Sequence, residues 1–275
     1  MWRNRRIVVA GGTAGFGLVL ARHLLAAGAR VLLVGRSGDG VRRGLEVCDP
    51  LAGDRVHGVT ADLAQPGEGG RVIGEALRRL GGLDDLFCCV GRSGRADMLK
   101  VGPAELQRSI DANLMSAVEL TRAAVDDVVA GRGHMVFMGS LAGKLVTPFM
   151  GPYAVGKSAL AAYVEAMRLE IAPRGAHVML VSPGPIARAA YDPAIDRAAD
   201  RYAADVAAAN LPDAARAAGG SRRLAPLDPE RLAARVLAGC RSRRSELVVP
   251  GRARLLAGLI ECFPELGRAI LRRMA

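Results

Sequence analysis

Tyr153-Ala154-Val155-Gly156-Lys157 sets a phenol and an ammonium four residues apart. On a helix such residues share a face. A free phenol has a pKa near ~10, too high for good acid/base work at neutral pH. A neighbouring ammonium favours the phenolate and lowers that value. Lysine suits the task better than arginine, because its charge is compact and its stem flexible. The pair could move a proton to or from a substrate oxygen. Ser140 lies thirteen residues upstream, just past the apolar run 135–138, and its hydroxyl could hold that oxygen. A tyrosine and a lysine at this spacing also meet on ordinary helices, so the surroundings decide the reading.

Those surroundings include Gly11-Gly12-Thr13-Ala14-Gly15-Phe16-Gly17, which follows the apolar run 7–10 and opens a helical stretch from Leu18. In such a loop Gly11 permits a tight turn. Gly15 lets a pyrophosphate approach the backbone, and Gly17 lets helix and strand pack closely. The helix start offers unpaired N–H groups and partial positive charge to phosphates. No Gly-Lys-Ser/Thr follows, so the loop is not a P-loop. The second strand ends in Val34-Gly35-Arg36-Ser37. NAD sites usually place a carboxylate there for the ribose 2′-OH. Arg36 would instead pair with a 2′-phosphate, which favours NADP(H). Asp62 could accept from an adenine amino group or cap a helix; both readings stay open. Gly91, after Cys88-Cys89-Val90, would let the backbone approach the cofactor ribose. The two cysteines read as small apolar fillers.

The elements needed to position these groups alternate. Runs 7–10, 30–34, 56–59, 86–90, 135–138, 178–181 and 247–249 read as strands. Helical stretches cover 18–27, 72–80, a segment opened by Pro103, 113–130 and 153–172. Strands joined by helices imply an α/β fold, a parallel, doubly wound sheet with helices on both faces. One domain is expected, with no linker or repeat. Residues 185–227 leave the rhythm and read as a substrate-loop insertion. In the tail, 252–275, Leu255, Leu259, Phe263, Leu266 and Ile270 make an amphipathic stripe flanked by arginines. It could dock on its own domain, on a partner subunit or on a membrane surface, and Pro264 should bend or split it.

The bulk composition narrows the classes. The 275 residues are 51% hydrophobic, which excludes a disordered chain. The net charge of +11 permits polyanion binding. Yet only three of the 38 basic residues are lysine (Lys100, Lys144, Lys157), so the charge reads as an Arg-rich composition and no nucleic-acid reader is indicated. The five cysteines form no CxxC pair and the four histidines are scattered, so no disulfide framework or metal site is expected. A reducing, cytoplasmic compartment fits, and peripheral membrane contact through 252–275 stays open.

Taken together, GGTAGFG at 11–17, Gly35-Arg36, Asp62-Leu63, Asn113, Ser140, YAVGK at 153–157 and Pro183-Gly184 resemble the short-chain dehydrogenase/reductase family, collinearly from about residue 5 to 187. The resemblance implies a Rossmann-like sheet of about seven strands and a catalytic tetrad of Asn113, Ser140, Tyr153 and Lys157. It implies NADP(H) contacts from Gly11, Thr13, Ala14, Gly15, Phe16, Gly17, Arg36, Ser37, Asp62, Leu63, Cys89, Val90, Gly91, Tyr153, Lys157, Pro183, Gly184 and Ile186. It also implies a small carbonyl or alcohol substrate, a homodimer or homotetramer, and an Asn113 that holds a relay water through a distorted helix. Four positions depart from the family pattern: Ala10, Cys88, Gly139 and Arg188. Arg188 stands where a threonine often meets the nicotinamide carboxamide, and it could meet an anionic substrate group instead. Arg197, Arg201, Arg216, Arg222 and Arg223 could favour an acidic substrate. A membrane-associated lipid ketone reductase, similar to 3-ketodihydrosphingosine reductase, and a catalytically silent nucleotide-sensing protein are the alternatives.

Overall fold

The computed structural model describes residues 1–194, 202–217 and 225–274. Seven strands, β1 (Arg6–Ala10), β2 (Arg30–Gly35), β3 (Val56–Thr60), β4 (Asp85–Cys88), β5 (His134–Met138), β6 (His177–Pro183) and β7 (Glu246–Val249), form one sheet ordered β3-β2-β1-β4-β5-β6-β7. All neighbours pair in parallel. The order reverses between β1 and β4, so a crevice opens beyond their carboxyl ends. The strands are apolar throughout because both faces are covered. In β1, Ile7 and Val9 enter one core while Val8 and Ala10 enter the other. Each large side chain so buried contributes roughly 1.5–3 kcal/mol.

Helices α1 (Gly15–Ala26), α2 (Gly38–Ala52) and α8 (Pro229–Arg241) cover the first face. Helices α3 (Glu68–Leu80), α5 (Ser116–Ala130) and α6 (Gly151–Ile171) cover the second. Sequence periodicity misses α2 and α8. In α2, Gly38, Gly40, Gly44 and Pro50 dilute the apolar pattern, and the helix is started instead by Ser37, whose Oγ accepts from Gly40 N at 3.1 Å. Gly44 is needed because a Cβ there would stand 3.0 Å from Thr13 Cα. In α8 the signal is local: Asp228 Oδ1 accepts from Glu230 N at 2.8 Å and Arg231 N at 3.2 Å, with Pro229 in the first turn.

The departures at Ala10 and Cys88 leave the pairing intact. Ala10 and Cys88 are register partners, and Cys89 N donates to Ala10 O at 2.8 Å. At the other end of the strands, buried Asp85 holds β1, β4 and β5 together. Its carboxylate accepts from Arg5 at 2.5 and 2.7 Å and from His134 N at 2.9 Å. The histidines are less scattered than their numbering suggests. His134 and His177 are register partners with Nδ1 atoms 2.8 Å apart, and Cys240 lies beside them. Burial drives the His134 pKa down to about 3 and lowers that of His177, so both rings are neutral: His177 Nε2 donates to Arg244 O at 2.7 Å, and its Nδ1 accepts from His134 Nδ1.

The insertion is closed at its base. Ala187 N donates to Leu227 O at 2.9 Å and Leu227 N to Pro185 O at 2.7 Å. Within it lies the short helix α7 (Ala203–Ala208). Beyond β7 the tail forms α9 (Arg252–Cys262) and α10 (Pro264–Met274), so Pro264 does split it. The expected single stripe is not kept. Leu255, Phe263 and Leu266 are exposed, while Leu256, Ile270 and Leu271 face the crevice. The break at Pro264 changes the helical phase, so one periodicity cannot describe both helices. No helix among the described residues is long and apolar enough to cross a membrane.

Candidate active site

A cleft of about 2090 Å³ runs over the carboxyl ends of the strands. At one end the glycine loop bends from β1 into α1. Gly11 and Gly15 have φ of +73° and +60°, values that favour glycine. Gly17 is fixed by packing, since a Cβ there would stand 2.2 Å from Gly11 O. Ala14 gives no side-chain cap to α1, and Gly15 N donates to Asp192 Oδ2 at 2.9 Å. Arg188 pairs with the same carboxylate at 2.6 Å. Arg188 is therefore paired within its own chain while also lining the cleft.

Arg36 is exposed at the end of β2, lines the cleft, and makes no ion pair among the described residues. Asp62 follows β3, and its Oδ1 accepts from Ala64 N at 3.2 Å. It therefore caps a turn, since α3 begins only at Glu68. Ser37 does not line the cleft; its hydroxyl starts α2.

At the middle of the cleft, α4 (Pro103–Ile110) passes into a π-helical turn (Asp111–Met115) before α5. Wide turns of this kind recur at functional sites. Asn113 is buried in it, outside the cleft lining. Its Nδ2 donates to Ser109 O and Arg92 O, each at 3.0 Å, and its Oδ1 accepts from Arg92 N at 3.2 Å. The side chain thus ties this turn to the chain leaving β4. Ser140 leaves β5 in an extended conformation, and its Oγ accepts from Ala142 N at 3.1 Å.

Tyr153 stands in the first turn of α6 and Lys157 one turn later. Lys157 is buried, and its Nζ donates to Met138 O at 2.8 Å and Val90 O at 3.3 Å. Nζ lies 6.0 Å from the centroid of the Tyr153 ring. Burial lowers its pKa to about 8, against the opposing pull of the neighbouring thiols Cys88 and Cys89. Those thiols are inert: burial pushes Cys88 up to about 11 and Cys89 higher still. Gly91, with φ of +154°, is required at this point, since a Cβ would stand 2.7 Å from Lys157 Nζ and 2.8 Å from Asn113 Oδ1.

The structure therefore gathers Gly11, Thr13, Ala14, Gly15, Phe16, Gly17, Arg36, Asp62, Leu63, Cys89, Val90, Gly91, Ser140, Tyr153, Lys157, Pro183, Gly184 and Ile186 along one cleft. Sequence reading misses Arg95. It is buried, lies 3.6 Å over the Tyr202 ring, and donates to Ala215 O at 2.6 Å and Ala217 O at 2.8 Å. It clamps the insertion over the cleft, yet in an Arg-rich sequence nothing marks it out. Arg197, Arg201, Arg222 and Arg223 lie outside the described residues. Arg216 is not among the residues lining the cleft and pairs with Asp213 at 3.3 Å.

A family model described as short chain dehydrogenase matches residues 5–198. The chain belongs to this family. It is 34% identical over 191 residues to dehydrogenase/reductase SDR family member 7B of Bos taurus, covering 66% of this chain and 58% of that protein. The chain thus matches less than two thirds of the length of that relative. The Xenopus tropicalis protein of the same name is 29% identical over 260 residues, covering 91% of this chain and 79% of that one. Ketoacyl reductase HetN of Nostoc is 28% identical over 184 residues, covering 66% and 63%. Among solved structures, a short chain dehydrogenase/reductase from Burkholderia phymatum in complex with NAD superposes with a TM-score of 0.78 at 20% identity, covering 96% of this chain and 95% of that chain. That likeness confirms the Rossmann-like fold, and the matched family is one of dehydrogenases.

Proposed function

We propose that this chain is an NADP(H)-dependent oxidoreductase that transfers a hydride between the nicotinamide and a carbonyl or carbinol carbon. The observation that carries this reading is that Tyr153, Lys157 and Ser140 share one cleft with the glycine loop of α1. A dinucleotide fits the residues present. The glycine loop with the N–H groups of α1, the chain at Gly91 and an exposed Arg36 provide for pyrophosphate, ribose and 2′-phosphate in turn. Asp62 and Leu63 would border the adenine. Cys89, Val90, Gly91 and Lys157 would border the nicotinamide ribose, and Pro183, Gly184 and Ile186 the nicotinamide. When bound, the nicotinamide supplies or accepts the hydride.

The chain's own residues manage the oxygen and its proton. Ser140 Oγ accepts from Ala142 N, which leaves its O–H to donate to the substrate oxygen. Tyr153 gives the phenolic proton to that oxygen in reduction and takes it in oxidation. Two donors of the Lys157 ammonium are spent on Val90 O and Met138 O. The third serves the ribose, while the charge favours the phenolate. Asn113 is a positioning residue through its bonds to Arg92 and Ser109. The far wall, built from Leu145, Met150, Leu256, Ile270 and Leu271, favours a carbonyl compound with an apolar substituent. A screen of ketones and alcohols followed at the NADPH absorbance band tests this. Turnover of apolar ketones supports it, and turnover confined to small polar carbonyls contradicts the substrate class.

Two further outcomes are expected. Arg36→Asp should weaken NADPH binding by about 2 kcal/mol or more, through loss of a charge-assisted bond and added repulsion, and leave NADH binding nearly unchanged. Equal losses for both cofactors would remove Arg36 from the 2′-phosphate. Lys157 is charged below about pH 8 and neutral above it. Reduction should therefore run fully below that value and fall as pH rises through it. A kcat/KM profile that instead rises across pH 8 would contradict the role given to the ammonium.

A further inference from the structure

The phosphate end of the cleft already holds an anion of the chain's own. Asp192 lies 177 residues from Gly15 in sequence, yet its Oδ2 accepts from Gly15 N at 2.9 Å. Gly15 is the first residue of α1, where the partial positive charge of the helix is greatest. The carboxylate is buried, with Oδ1 accepting from Ala194 N at 3.0 Å. Its second strong partner is Arg188, at 2.6 Å. The guanidinium lies across the loop, with one nitrogen 2.8 Å from where a Cβ of Gly15 would stand. This placement is built by packing. Ala189 is in the core, Asp192 N donates to Ala189 O at 2.9 Å, the Tyr191 hydroxyl donates to Glu230, and Arg22 lies 4.3 Å over the Tyr191 ring.

We propose that Asp192 is the resident anion of the dinucleotide phosphate site, and that cofactor binding is an exchange. The pyrophosphate takes the place of the carboxylate at Gly15 N–H, and Arg188 passes from the carboxylate to the pyrophosphate. This inference rests on the dinucleotide reading above. Its physical basis is that two anions repel at one helix end and compete there for the Gly15 N–H and the Arg188 guanidinium. Asp192 therefore lowers the apparent affinity of the site, as any competing bound state does. Arg188 raises it by charge-assisted bonds to phosphate oxygens. The partners of one ion pair thus act on cofactor affinity in opposite directions. An ion pair that only held the loop in place would move both affinities the same way.

The test is equilibrium titration by calorimetry of the full chain and its Asp192→Asn and Arg188→Gln variants. The ligands are NADPH and adenosine 2′-monophosphate, which lacks the pyrophosphate. Asp192→Asn should tighten NADPH binding about tenfold, and Arg188→Gln should weaken it about tenfold, with the monophosphate affected less than about twofold in either. A second readout needs no variant. On adding NADPH to the unmodified chain, the Ala194 amide loses its acceptor and should exchange hydrogen faster, while residues 11–17 become protected. Weakened NADPH binding in both variants, or protection of Ala194 together with 11–17, overturns the exchange while leaving the dinucleotide reading intact. Failure of the unmodified chain to bind either NADPH or NADH overturns both.

Discussion

Tyr153→Phe is expected to lower turnover by roughly 10²–10⁴-fold, the range of a lost general acid, with NADPH affinity unchanged within about threefold. The change deletes one oxygen and leaves the ring packed against Ala142, Met150 and Ala154. Its effect should therefore fall on kcat and not on the fold or on cofactor binding. The measurement is single-turnover oxidation of NADPH beside an equilibrium titration. A variant with unaltered kcat would remove Tyr153 from the proton transfer. Weakened cofactor binding with unaltered kcat would make it a binding residue only.

Gly91→Ala is expected to cost about 100-fold in kcat/KM without contact between the new methyl and the substrate. The added carbon would stand 2.7 Å from Lys157 Nζ and 2.8 Å from Asn113 Oδ1, at a φ of +154° that alanine rarely adopts. Neither neighbour can yield cheaply. Lys157 is pinned by Met138 O and Val90 O, and Asn113 by Arg92 and Ser109. The backbone strain adds on the order of 1–3 kcal/mol to the folded state. Steady-state kinetics beside a thermal melt check both parts. A variant that melts lower yet turns over at the wild-type rate would mean that the close approach does not position Lys157 or Asn113.

What the sequence makes legible is what chemistry and backbone geometry demand of residue types in short stretches. The loop 11–17 needs glycine where φ is positive or an oxygen approaches, and so it can be read directly. The strands declare themselves because both faces are buried. Tyr153 and Lys157 are legible because the proton transfer proposed for them requires that spacing on a helix. The missing pieces depend on contacts across long stretches of chain. Asp192 meets Gly15 from 177 residues away, and Arg95 meets Ala215 and Ala217 from 120 and 122. In a chain with few lysines and many arginines, Arg95 does not differ from a solvated surface arginine until its partners are placed, and Arg188, marked only as a departure from the family pattern, gives no sign of its pairing with Asp192. Helix α2 is hidden for a different reason, since close approach to Thr13 imposes a glycine where periodicity expects an apolar residue. The tail misleads because Pro264 splits it into two helices of different phase, and because within α9 it is Leu256 that lines the cleft while Leu255 is exposed.

The central claim is that a hydride passes between the nicotinamide and a substrate carbon beside Tyr153. Isotope transfer tests it most directly. The chain would be incubated with a panel of ketones and NADPH carrying deuterium at the transferable position of its nicotinamide ring, and the products read by mass spectrometry. The account predicts deuterium on the carbinol carbon of the product, lost in Tyr153→Phe. Tight binding of NADPH with no deuterium reaching any carbonyl or carbinol carbon would contradict it.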